Sequence, residues 1–81
     1  MTYNCGIAGK VIRRIRKERR LSQEVLSGLA GISRSHLAMI ETGKKNPNVE
    51  TLWNIANAMN MRLSELFTVI EDENEKQNTE L

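Results

Sequence analysis

The chain has 81 residues, which limits it to one domain with a modest core. Apolar residues make up 40% and charged residues 27%, ordinary proportions for a globular domain, and the formal net charge is only +2. One cysteine and one histidine exclude a disulfide-stapled scaffold and a four-ligand zinc finger. No apolar run approaches the ~18 residues of a membrane span, and no export signal opens the chain.

In chain order, residues 1–6 lack a periodic pattern and are expected to be flexible. Ala8, Val11, Ile12 and Ile15 then recur at three and four, the spacing of one helix face, with Arg13, Arg14, Lys17 and Arg20 away from that stripe. Ser22 is suited to cap a second helix, Gln23–Ala30, with Glu24 in its first turn and Leu26 and Leu29 as its apolar side. Gly31 offers the turn residue that side chains resist. Ser33 caps a third helix, Arg34–Glu41, with Leu37 and Ile40 facing inward, and Gly43 stops it ahead of a KKNP loop. Asn48 caps a fourth helix on the stripe Leu52, Ile55, Ala56 and Met59, and Leu63, Leu66, Phe67 and Ile70 mark a fifth. No window alternates in the manner of a strand, so residues 7–70 are expected to form a compact all-α domain of five helices. Residues 71–81 (EDENEKQNTEL) carry no aromatic or β-branched aliphatic side chain and are expected to be an acidic, disordered tail.

The small net charge conceals a division. Residues 1–48 hold ten Lys/Arg against three acids, a balance of +7, and the remainder holds two against seven, a balance of −5. A basic front half points to a polyanionic partner. The run RRIRKERR (13–20) reads either as a linear basic patch or as the solvated side of the first helix; Ile15 interrupts it at core spacing, which favours the latter.

The second and third helices are short and joined by a tight glycine-containing turn, and Leu26, Ile32, Leu37 and Ile40 are placed to fix their angle. Ser27 is small enough for close approach. This is a helix-turn-helix, which leaves the start of the third helix free to enter a major groove. Arg34 stands in the first turn of that helix, where a cation opposes the helix dipole. A locally unfavourable choice at an exposed helix start points to function, and an arginine there can pair with guanine O6 and N7 while Met39 packs on a thymine methyl.

Over residues 9–67 the sequence resembles the phage repressor and Cro-like (XRE-like) helix-turn-helix family, through SQ at 22–23, AG at 30–31, Ser33, the IE.GK pattern from Ile40, NP at 46–47 and ETL followed by IA. The resemblance implies a lambda-repressor-like fold and a sequence-specific DNA-binding transcriptional regulator. Such members work as homodimers on double-stranded, palindromic operator DNA, without cofactor or metal. Stand-alone members include restriction-modification controller proteins and phage repressors. It implies base reading by Arg34, Ser35 and Met39. It implies backbone contacts by Gln23, Ser33, His36, Thr42, Lys44, Lys45 and Asn46, and a structural ion pair between Arg16 and Glu41. Three residues depart from the family pattern: Arg20 where a glycine is common, Gly28 inside the second helix, and Arg62 where a Ser/Asp cap is common.

Trp53 reads either as a core-edge residue or as part of a dimer patch; with Phe67, Val69 and Ile70 it is expected to form a two-fold interface. His36 has no partners for a metal, and the carboxylates of the tail have no base or nucleophile beside them, so no catalytic site and no small-molecule ligand is indicated. The expected location is the cytoplasm of a bacterium, on the nucleoid, whether bacterial or phage-encoded. The alternative is a protein-interaction module of the antitoxin or anti-repressor type on the same fold.

Overall fold

A computed structural model of the chain describes residues 3–79. It contains five helices: α1 (Cys5–Glu18), α2 (Gln23–Ala30), α3 (Arg34–Glu41), α4 (Val49–Ala58) and α5 (Leu63–Thr79). No strand occurs among the described residues. Each of the first four helices starts on a side-chain cap: Asn4, Ser22, Ser33 and Asn48 accept from the backbone N–H of Gly6, Val25, His36 and Thr51 at 2.8–3.0 Å. Before α5 the cap side chain is missing. Arg62 holds the place, and Glu65 reaches back to its N–H at 2.8 Å, supplying half of a capping box.

The same four helices also end alike. After each, one residue is left-handed (Arg20, Gly31, Gly43 and Asn60), and two crossed backbone bonds close the last turn. At the end of α2, Gly31 N–H donates to Gly28 O and Ile32 N–H to Ser27 O. At the end of α3, Gly43 N–H donates to Ile40 O and Lys44 N–H to Met39 O. Arg20 does this work at φ 58°, a conformation that costs an L-residue roughly 1–2 kcal/mol.

The helices wrap one core. Ile12, Leu26, Leu37, Ile40, Ile55, Met59 and Leu66 are essentially inaccessible to solvent, so all five helices contribute. α2 packs on α3 and α4, and α1 on α3 and α5. The α1–α3 crossing is set by Gly9, whose missing Cβ would collide with the Ile40 carbonyl oxygen and lie 3.0 Å from that of Glu41.

Four expectations are corrected. Residues 3–6 are built into the fold, because Asn4 caps α1 and the Tyr3 hydroxyl donates to Asn46 Oδ1 at 3.3 Å; residues 1–2 lie outside the described residues. Leu29 is not an inward residue of α2: it is 62% exposed, and Ala30 takes the core position. The expected disordered tail is helical through residue 79, and residues 80–81 lie outside the described residues. The helix continues because Ile70 and then Asn74, one turn on, are buried, while Glu73 accepts from Arg14 Nη1 at 3.0 Å. Ile70 belongs to this monomer's core at 4% exposure, so it is not available for a dimer interface.

Two alanine substitutions should have opposite signs. Gly9→Ala forces α1 off α3 and should lower stability by about 1–3 kcal/mol. Gly28→Ala meets nothing within 4 Å and should raise it by about 1 kcal/mol. Urea titration of both variants checks this. The hydrogen bond from Arg14 holds the Glu73 carboxyl below its ordinary value of 4.5, with lesser help from Gln77 and Lys76 and against some desolvation. A depressed folded value stabilises above the ordinary value and is lost as pH falls through it. Glu73→Gln should therefore melt below the unsubstituted protein at pH 7, with the gap closing below about pH 4.5.

Candidate nucleic-acid interface

The α2–turn–α3 unit presents one side of α3 to solvent. Leu37, Ile40 and Glu41 point inward; Arg34 and Ser35 in the first turn are exposed, and Met39 is 40% exposed. Ser35, Met39 and Thr42 follow at i, i+4 and i+7, along a single line of the helix and its cap. Arg34 has no carboxylate within ion-pair distance among the described residues, and neither have Lys44 and Lys45 in the following loop. The exposed end of α3 is therefore flanked by uncompensated cations.

Behind α3 lies a buried fork. Arg16 Nε donates to Glu41 Oε2 at 2.7 Å and Nη2 to Oε1 at 3.1 Å, while Nη1 donates to the Leu21 carbonyl at 2.8 Å. Both residues are buried, at 7% and 5% exposure. Gln23 Nε2, at the start of α2, donates to Glu41 Oε1 at 3.0 Å. The fork thus joins α1, the α1–α2 turn, the first residue of α2 and the last of α3. Every buried side-chain nitrogen and oxygen among the described residues has a partner. A carboxamide nitrogen carries two hydrogens, so Gln23 is held in place by one and keeps the other for an external acceptor.

The remaining residues expected at a nucleic-acid backbone fall into three groups. Ser33 and His36 sit at the α3 start, where the Ser33 oxygen accepts from the His36 N–H and its hydroxyl proton stays available. Lys44, Lys45 and Asn46 are exposed beyond the α3 cap, with the Asn46 amide hydrogens uncommitted to Tyr3. Thr42 differs: its hydroxyl proton goes to the Ala38 carbonyl at 3.0 Å, so donation outward requires the hydroxyl to turn about its Cβ–Oγ1 bond. Desolvation, with Cys5 adding to it, raises the Tyr3 hydroxyl above its ordinary pKa, so it remains a donor to Asn46 at neutral pH. Composition and periodicity missed Tyr3, Asn4 and Gly9. Their signal was an Asn at helix-cap spacing and a glycine on the buried side of the first helix.

Elsewhere, Trp53 is 57% exposed and Val49, one turn earlier on α4, is 65% exposed. Trp53, Asn57, Arg62, Leu63 and Ser64 line one surface depression where α4 meets α5. Phe67 and Val69 are half-buried against the core. Among the described residues no helix is long and apolar enough to cross a membrane, and no group of three His, Cys, Asp or Glu side chains is placed to hold a metal ion.

A helix-turn-helix family model matches residues 12–66, more than half of the chain. The immunity repressor protein of Bacillus phage phi105 is 39% identical over 74 residues, covering 88% of this chain and 51% of that protein. The chain therefore spans about half the length of that repressor. The control protein C.MunI of Mycoplasma sp is 36% identical over 66 residues, covering 80% of this chain and 89% of that protein. The crystal structure of the restriction-modification controller protein C.AhdI from Aeromonas hydrophila superposes with a TM-score of 0.75 at 32% identity, covering 78% of this chain and 96% of that one.

Removing one side of the fork strands a buried charge. Glu41→Gln should cost about 3–5 kcal/mol in urea unfolding; a loss below about 1 kcal/mol would show that the fork is not the constraint its burial indicates.

Proposed function

The chain belongs to the helix-turn-helix family of DNA-binding transcriptional regulators, and we propose that it acts as a homodimer on an inverted-repeat operator, with α3 of each subunit in a major groove. The observation that carries this reading is the uncompensated Arg34 at the exposed start of α3, flanked by Gln23 and by Lys44 and Lys45. Arg34, Ser35 and Met39 read base edges. Gln23, Ser33, His36, Lys44, Lys45 and Asn46 grip phosphates, and Thr42 contributes after rotating its hydroxyl. Phosphate contacts set the register, and base contacts give the sequence preference.

The dimer surface is the Val49–Trp53–Asn57 line of α4 with the start of α5. Phe67, one turn on from Leu63, acts as its inner edge. An exposed tryptophan one turn from an exposed valine supplies the kind of anchor that such interfaces use. The protein regulates by occupying DNA and performs no chemistry, as expected of the small controller type, in the cytoplasm on the nucleoid.

Selection of bound duplexes from a random pool should return inverted repeats whose half-sites lie about 10 bp apart, centre to centre. Arg34→Ala should lose about 1–3 kcal/mol of preference at one guanine per half-site. Retention of that preference removes Arg34 from the base-reading set. Trp53→Ala should sediment as a monomer at concentrations where the unsubstituted protein is a dimer, with its melting temperature nearly unchanged.

A further inference from the structure

A second basic feature lies away from α3. Lys10, Arg13, Arg14 and Lys17 recur at three and four along the outer face of α1 and together line a shallow surface depression of about 270 Å³. Arg14 is committed to Glu73. Lys10, Arg13 and Lys17 have no carboxylate within ion-pair distance among the described residues.

The position of this row is defined at both ends. The N-terminal end of α1 is tied to the α3–α4 loop by Cys5 Sγ to the Gly43 carbonyl at 3.5 Å, and by the Tyr3 hydroxyl to Asn46. Its C-terminal half carries Arg16, which holds Glu41 and through it Gln23. α1 therefore runs between the two segments assigned above to phosphate contact, with the row on its solvent side. Arg13 lies one turn before Arg16, and Lys17 follows it.

From Lys10 to Lys17 the rise along the helix is roughly 10 Å, long enough to reach two successive phosphates of one strand. Three free cations in a row, on a helix whose start is tied to the loop that carries Lys44 and Lys45 and whose end is followed by Arg20, match a nucleic-acid strand better than a single bound anion. We propose that Lys10, Arg13 and Lys17 form an additional site for duplex DNA, taking backbone phosphates beside those gripped by Gln23 and the Lys44–Lys45 loop. This rests on the DNA-binding reading above.

The test uses the full chain and a 40-bp random-sequence duplex, titrated at a series of salt concentrations. The Arg13→Gln/Lys17→Gln double variant should lower the slope of log affinity against log salt by about 1.8 for each bound subunit, 0.9 per phosphate. The charge-preserving Arg13→Lys/Lys17→Arg variant should keep the original slope, which separates charge from packing. Lys44→Gln/Lys45→Gln should lower the slope independently. If the α1 variant keeps the full slope while the loop variant loses part of it, the α1 site is overturned and DNA binding stands; an acidic protein partner for the row would give this result. If the unsubstituted chain shows no salt-dependent binding to any duplex, both readings fall.

Discussion

The structure depends on one buried charge pair. Arg16 and Glu41 are drawn out of water, and offsetting that desolvation requires close mutual geometry and further hydrogen bonds, a demand on the whole fold. The chain meets it by bringing together the Leu21 carbonyl, Gln23 and both carboxylate oxygens. Three stretches of backbone must therefore converge: the end of α1, the start of α2 and the end of α3. That convergence fixes where α3 stands and which way Gln23 points. The same contacts that hold the core closed thus prearrange the surface proposed to meet DNA.

The second constraint is brevity. Helices of eight residues, as α2 and α3 are, have too few internal bonds to be stable alone. They persist because both ends are closed, by a serine cap in front and a left-handed residue behind. Glycine fills the left-handed place beside the proposed reading helix, at Gly31 and Gly43. Arginine fills it at the end of α1, where the backbone strain of Arg20 is accepted and a cation is gained next to α2. That choice fits a chain whose first 48 residues carry a balance of +7.

The helix-turn-helix was legible in the sequence because its signals are local. Ser22, Ser33 and Asn48 are caps recognisable from type and spacing, and Gly31 and Gly43 stand where the helices end. Periodicity also identifies Leu26, Leu37, Ile40 and Leu66 as core. What was not legible depends on partners distant in sequence. Leu29 continues the apolar pattern of α2, yet nothing packs on it. Residues 71–79 look too polar to fold, and what joins their helix to the rest is the Arg14–Glu73 bond and the burial of Ile70 and Asn74. Ile70 reads as a surplus apolar residue until that extension shows it to be core. Gly9 stands on the buried side of α1, but what it avoids, the backbone of α3, is distant in sequence.

The net charge of +2 averages over these arrangements. One acid from the carboxy-terminal helix is folded back on the basic face of α1, while the cations near α3 stay free. The most direct measurement is a crystal structure of the chain on a selected duplex. α3 is expected in the major groove, with Gln23 still bonded to Glu41 and its second amide hydrogen on a phosphate oxygen. A complex in which α3 lies outside the groove, or in which Gln23 leaves Glu41 to reach the DNA, would contradict that expectation.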